Sequence, residues 1–446
     1  MTRAWPRGRI VFGVALGATL ILPLFLLYGR AVAEVMIAIA DLCFLARSAA
    51  EGSWGWLKSG WLRIGLAWWV WLVICSLPFP PFADGGMHPL GEAVATVRFL
   101  VFIAALEHFV LVGPAARRWL SLSLAAAFLW IGGESLQQYI TGHNIFGHPI
   151  SGDGELTGPF NKARAGPPFS RLFFPLVLPP VDRLLARPGL GKRAAGGAVM
   201  LAAIAVQVLI GQRMPVLLMG LGLVATFVLM RRLRALVAVG AVAALALVGA
   251  AAVIRPPAYY RLVEKFTRQM SHFRESPYGE LYVRSAVMAK ENPLFGRGYD
   301  GYRDNCTEPR YFHDLGFLFT GHDRPGYVSK GATVCNEEPG NFYLQAATDA
   351  GVPGLLLYTA LGLAWLVALG RGLGGGGPDP TRVGLFVAAL IFLWPLASTS
   401  SYLDMPMSGW SFLLIGWGLA EARAAQAMAS QPAAGQPAAD QPATAR

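Results

Sequence analysis

Long apolar runs separated by short charged connections fill most of the chain, and this rhythm restricts its possible folds more than any other feature. A helix crossing a hydrocarbon core about 30 Å thick needs about 20 mostly apolar residues. Roughly twelve stretches meet that requirement, near 10–28, 31–46, 61–77, 92–112, 119–139, 169–185, 195–210, 214–230, 235–254, 342–369, 383–397 and 409–422. Only 14% of the residues are charged, against about 25% in a soluble domain, so the bilayer is the expected solvent. The 25 Phe and 13 Trp supply far more apolar area than a disordered chain carries. The fold class implied is an all-α polytopic membrane protein of about 12 transmembrane helices, with a large loop between spans nine and ten.

The net charge of +11 raises the question of nucleic acid, and the placement of the cations answers it. They punctuate the apolar runs instead of forming a basic helix or an aromatic-interleaved stripe, so no nucleic acid partner is expected. Alternate connections are basic: Arg3, Arg7 and Arg9; Arg47, Lys58 and Arg63; Arg117 and Arg118; Arg183, Arg187, Lys192 and Arg193; Arg231, Arg232 and Arg234; Arg371 and Arg382. Positive connections stay in the cytoplasm, which places both termini inside, in agreement with an even number of spans. A cleaved signal peptide is the alternative for the first span; its apolar length and Arg30 argue against cleavage after Ala33.

Residues 1–254 thus hold the first nine spans, with a Gly- and Pro-rich outer loop near 140–168. Residues 255–341 carry 12 Lys or Arg and 11 Asp or Glu, a mixture expected of a folded, wet lobe, with short helices near Tyr259–Ser271 and Gly279–Glu291. Residues 342–425 hold the last three spans, and 426–446, almost all Ala, Gln and Pro, are expected to be a disordered cytoplasmic tail. Cys306 and Cys335 both fall in the lobe, and an oxidising outer compartment makes them a disulfide candidate. Cys43 and Cys75 lie within spans and are expected to be packed thiols.

An arginine at membrane depth is a functional candidate by default. Arg213, in Gly211-Gln212-Arg213-Met214-Pro215, sits between spans seven and eight on the outer side, where positive-inside logic would not put it. Interfacial snorkelling is one reading; bidentate binding of a phosphate or carboxylate is the other. Arg284 is the second candidate, just upstream of a glycine-rich turn at Asn292–Tyr299 that lets a backbone approach a ligand. Arg98, Glu107 and Asp41 lie inside spans, either in a polar pathway or paired with another helix. No histidine, cysteine or carboxylate spacing suits a metal, and no Walker or Rossmann glycine pattern is present, so neither metal nor nucleotide cofactor is expected.

Four stretches resemble the O-antigen ligase and polysaccharide polymerase superfamily of bacterial inner membranes. They are Leu156-Thr157-Gly158-Pro159-Phe160-Asn161, Gly211-Gln212-Arg213, Asn292 to Gly298, and Pro339-Gly340-Asn341-Phe342-Tyr343-Leu344-Gln345 with Asp349-Ala350-Gly351-Val352-Pro353-Gly354. Trp394 to Ser401 is similar to that family's late spans. The resemblance implies a GT-C-like, metal-independent, inverting glycosyltransferase whose active site faces the periplasm. Its donor would be a glycan on undecaprenyl diphosphate, and its acceptor the lipid A core for a ligase or another glycan for a polymerase. Arg213 and Arg284 match the family's diphosphate-binding arginines, and Asn341 joins them as a substrate-binding candidate.

The chain departs from the family at one place. Where members read His-Asn ahead of Tyr-Leu-Gln, this sequence has Gly340 before Asn341, and a glycine cannot take a proton. The base would then be Glu338 or Glu337, or a loop histidine such as His313 or His322; alternatively, the protein binds glycolipid without turning it over. A transporter is a third reading, weakened by the lack of paired Gly/Pro-interrupted spans in two halves.

Overall fold

The computed structural model describes residues 6–82, 86–152, 154–254, 256–273, 276–311, 335, 339–374, 377–396, 403, 405 and 407–430. Ten helices precede the lobe: α1 (Pro6–Tyr28), α2 (Arg30–Glu51), α3 (Gly60–Cys75), α4 (Met87–Ala95), α5 (Val97–Ala105), α6 (Pro114–Thr141), α7 (Gly166–Ala186), α8 (Leu190–Ile210), α9 (Arg213–Leu229) and α10 (Arg234–Ile254). The lobe contributes α11 (Pro256–Tyr259), α12 (Phe266–Ser271), α13 (Pro277–Glu291) and α14 (Gly301–Asn305). The chain ends with α15 (Phe342–Gly370), α16 (Pro380–Phe392) and α17 (Met407–Ala429). Among the described residues the sole β-type pairing is an isolated bridge between His143 and Pro149.

Each expected apolar stretch falls on a helix, and among the described residues six helices are long and apolar enough to cross a membrane: Gly8–Tyr28, Met87–Val110, Pro114–Thr141, Leu190–Ile210, Arg231–Ile254 and Phe342–Gly370. Three more, Gly60–Cys75, Arg213–Leu229 and Pro380–Phe392, are apolar but shorter. The protein is therefore an all-helical, multi-pass membrane protein. Leu122, Leu129, Val224, Val228, Val242, Leu245, Leu356 and Val367 are exposed on its flanks, as residues facing lipid would be.

Three boundaries differ from the sequence expectation. The run expected to reach Ala397 stops at Phe392, because Pro395 cannot donate to the helix and disfavours helical geometry at Trp394. The fourth run begins earlier, at Met87, stays helical through Thr96, whose hydroxyl donates to the Ala93 carbonyl, and passes into a wider turn at Leu106–Val110. The last helix continues through Ala429, since Ala and Gln favour helix; residues 431–446, most of the expected tail, lie outside the described residues. The two short lobe helices expected from the sequence appear as a helical stretch over 256–271 and as α13.

Helices in lipid gain little from hydrophobic association, so small residues at the crossings let them approach and make dispersion contacts. α7 is the hub. Its Phe174 lies under two glycines: a Cβ at Gly222 on α9 would fall on the Phe174 ring, and one at Gly384 on α16 would lie 2.6 Å from the Phe174 backbone. α7 is buried along most of its length despite Pro175, Pro179 and Pro180.

The bundle has two chemically distinct ends. At one, Arg232 pairs with Asp182 at 3.2 Å and Arg117 with Glu421 at 3.1 Å, among the basic connections. The other carries the loop between α6 and α7 and the lobe between α10 and α15. The lobe has its own buried cluster of Leu281, Val287, Met288, Tyr302 and Tyr311, beside a disulfide between Cys306 and Cys335 with Cα atoms 5.4 Å apart.

Two of the three charged residues singled out inside the helices are paired across the bundle, whereas the buried Asp41 carboxylate has no hydrogen-bond partner among the described residues. Arg98 reaches Glu34 on α2 at 3.5 Å and stacks on Phe99, while Glu107 accepts from Trp61 Nε1 at 3.0 Å and lies 3.8 Å from Arg423. Arg98 and Glu107 therefore tie helices together through different partners, the structural alternative weighed above.

Gly384→Leu should drive α16 away from α7 and cost about 1 to 3 kcal/mol through overpacking. Thermal unfolding in detergent should show a lowered midpoint for it, whereas Gly249→Leu, which meets nothing within 4 Å, should leave the midpoint unchanged.

Candidate functional site: an arginine-lined cavity at the loop end

Two irregular segments build the loop end, and in each the backbone finds partners inside the protein. In the loop after α6, Gln138 accepts from the amides of Thr157 (2.8 Å) and Gly158 (3.2 Å) and donates to the Thr157 hydroxyl. Asn144 donates to the carbonyls of Gly158 and Phe160. The Leu156 amide donates to the Ile210 carbonyl at 3.0 Å, which sets the loop against the end of α8. Gly166 then opens α7 by donating its amide to Gln212 Oε1 at 3.0 Å; a Cβ there would lie 2.9 Å from Pro215.

The second irregular segment is the break in α15 at Ala350 and Gly351, where Gly351 has φ +65°. The glycine-rich turn after α13 docks on it. Arg297 N donates to Thr348 O (2.7 Å), Gly298 N to Asp349 O (2.9 Å), and Val352 N to Pro293 O (2.7 Å). A Cβ at Gly296 would come 2.5 Å from the Ala350 amide, and one at Gly351 2.6 Å from the Pro293 carbonyl. The turn's glycines thus admit another backbone, which corrects the expectation that they admit a ligand.

Between these segments opens a cavity of about 670 Å³. Four guanidinium side chains line it: Arg164 from the loop, Arg171 from α7, Arg213 from the start of α9 and Arg261 from the lobe. Glu155 is the carboxylate among its lining residues, and it pairs with Arg261 at 2.5 Å. Arg213 donates to Gln269 Oε1. Phe266, Met270 and Phe273 make an apolar wall.

Arg171 is a site residue that the sequence reading missed. It is 3% exposed, donates to the Met407 carbonyl (3.1 Å) and the Ser411 hydroxyl (3.0 Å), and stacks over the Phe392 ring with 5.0 Å to the centroid. The signal was present: one arginine inside an apolar run meets the same criterion that selected Arg213.

The expected residues separate. Arg213 lines the cavity; Arg284 is buried but is not part of the wall. Tyr282, two positions earlier on α13, takes the cavity face, and residues two apart on a helix point in nearly opposite directions. Asn341 caps α15: its Oδ1 accepts from the Tyr343 (2.9 Å) and Leu344 (3.2 Å) amides, and its Nδ2 donates to the Pro395 carbonyl and the Tyr282 hydroxyl. It meets the cavity wall through Tyr282. Glu337, Glu338, His313 and His322 lie outside the described residues.

Residues 198–359, from α8 through the lobe into α15, match the family model described as O-antigen ligase. Over that stretch the chain is similar to the O-antigen ligase family. No curated protein and no solved structure matches the chain. The family segment carries Arg213, Arg261, the α13 wall and the α15 break, whereas Arg164 and Arg171 precede it.

Gly351→Ala adds a Cβ against the Pro293 carbonyl at a left-handed φ, and should destabilise the junction by about 1 to 3 kcal/mol. A lowered unfolding midpoint, with faster amide exchange at Arg297, Gly298 and Val352, is the expected result.

Proposed function

We propose that the protein is a glycosyltransferase that moves a glycan from undecaprenyl diphosphate to an acceptor sugar at the periplasmic face of the bacterial inner membrane. The observation that carries this reading is the cavity, with four guanidinium groups on its lining and an apolar wall beside them. A polyprenyl diphosphate has that division, an anionic head on an apolar tail. The superfamily match adds lipid-linked glycan and acceptor as the general substrate classes. Orientation follows from charge: the basic connections around Arg183, Arg193 and Arg232 mark the inside, and the cavity opens at the opposite end.

In this reading the diphosphate is the leaving group. As the bond to the anomeric carbon breaks, charge grows on the phosphate oxygens, and guanidinium groups held in place stabilise it more than water would. Arg213 binds the diphosphate, with Arg164 and Arg261 on the same lining; Arg284, behind Tyr282, supports the wall in this arrangement. The acceptor hydroxyl attacks from the opposite face with inversion, and Glu338 or Glu337 takes its proton. Ligation to lipid A core is the leading form, and polymerisation of glycan chains the alternative. Gly340 favours a second reading, a glycolipid-binding member without turnover, because the family's histidine is missing there.

Arg213→Ala should reduce glycan transfer at least a hundredfold in an assay with purified protein, lipid-linked glycan and acceptor, while leaving the unfolding midpoint within a few degrees. Unchanged transfer would remove the diphosphate role. Glu338→Gln and Glu337→Gln separate the two carboxylates: the base should lose about 10² to 10⁴ in rate, and the other should stay near wild type. A carboxylate base also implies transfer persisting to lower pH than a histidine would allow, since the unperturbed groups titrate about two units apart. A rate falling below about pH 6.5 would instead point to His313 or His322.

A further inference from the structure

We infer that Arg171 and Gln212 form an inner anion site in the cavity, one that receives a phosphate of the lipid-linked donor. This deepens the proposed function and rests on it.

The inference starts from a charge imbalance among the described residues. Arg171 is 3% exposed on α7, and its partners among the described residues, the Met407 carbonyl, the Ser411 hydroxyl and the Phe392 ring, are all neutral. A buried cation is ordinarily matched by a carboxylate, because neutral acceptors satisfy its hydrogen bonds but not its charge. The carboxylate on the cavity lining, Glu155, is already engaged by Arg261 at 2.5 Å. Arg171 also lines the cavity, so an anion entering from outside can supply the missing charge.

A second, independent observation points to the same place. Gln212 is 6% exposed and lines the cavity; its Oε1 is held by the Gly166 amide, and its Nε2 is a buried donor with no partner among the described residues. A buried, unsatisfied amide donor is costly, and a phosphate oxygen would satisfy it. Gln212 is also the residue that opens α9, so the positive end of a 17-residue helix faces the same space. The arrangement is preorganised: Met407 and Ser411 hold Arg171 Nη1, and Gly166 fixes the amide. The chemistry is that of a tetrahedral oxyanion, and a diphosphate matches a site where Arg213 lies at one position and Arg171 with Gln212 at another.

The test uses the full chain in nanodiscs and measures two quantities, the unfolding midpoint without ligand and the affinity for undecaprenyl diphosphate. Inorganic pyrophosphate and undecaprenol serve as probes of the head and tail alone. Arg171→Gln should weaken undecaprenyl diphosphate binding about a hundredfold while leaving the ligand-free midpoint unchanged or raised, because an uncompensated charge has been removed. Wild-type binding of inorganic pyrophosphate, lost in the same variant, would identify the head as the recognised part; binding of undecaprenol alone, insensitive to Arg171, would overturn the site. A purely structural arginine predicts the reverse, a lowered midpoint with undiminished affinity, and that result also overturns it. Should Arg171→Gln not fold, Arg171→Lys keeps the charge but not the fork; weakened binding at an unchanged midpoint supports the inference, and wild-type affinity overturns it. Loss of binding in Arg213→Ala with wild-type affinity in Arg171→Gln would end the inner site and leave the donor reading standing. Failure of the wild type to bind any diphosphate would end the donor reading itself.

Discussion

Backbone that leaves the helical form near lipid must hydrogen-bond within the protein, and this requirement organises the loop end. α15 breaks at Ala350 and Gly351, which frees carbonyls and amides in the middle of a 29-residue helix. The turn at 293–298 takes them up, and Trp71 Nε1 donates to the Ala350 carbonyl at 2.8 Å. The ring of Trp71 stacks on Phe295 at 5.7 Å, so the lobe is fixed to α3 and α15 at once. On the other side Gln138 and Asn144 do the same for the loop after α6. With both segments anchored, the cavity between them has walls set by the fold.

Rigid walls change what a cation can do. A lysine or arginine in water must be reorganised by each ligand, whereas Arg171 is already oriented by Met407, Ser411 and Phe392. The same economy is visible at Gly166 and Gln212, where one hydrogen bond positions the start of two helices, α7 and α9. The cost of holding charge is limited because the cations gather at one end of the bundle, beside a cavity. Polar groups farther along the helices, such as Arg98 with Glu34 and Glu107 with Trp61, are paired and so serve packing.

The helices were legible in the sequence because each apolar run repeats one physical requirement, the thickness of the hydrocarbon core. The position of Arg213 was legible for a related reason: it violates positive-inside placement. Arg171 violated the same expectation but lay within an apolar run, where the surrounding hydropathy concealed it. What sequence could not show was direction around a helix axis. Tyr282 and Arg284 are neighbours in the chain, yet one faces the cavity and the other does not, and the angle of α13 decides which. The glycines of 296–298 were visible as an invitation to close approach, but their partner, the break in α15, is about 50 residues away and known only from the fold.

The geometry around Gly340 bears on the missing histidine. Gly340 has φ +66°, a left-handed conformation that costs an L-residue with a side chain about 1 kcal/mol or more. It immediately precedes Asn341, whose side chain must turn back to cap the amides of Tyr343 and Leu344. In this chain the entry to α15 is therefore built around a residue without a Cβ, and a histidine placed there would carry about 1 kcal/mol of backbone strain as well as add a ring. Glycine at this position is a different way of starting the helix, one that pulls Asn341 toward Tyr282 and Pro395 and so joins the helix start to the cavity wall. With glycine at 340, the proposed reaction would draw its proton acceptor from another residue, and the two glutamates just before it, Glu337 and Glu338, carry that assignment in the proposal.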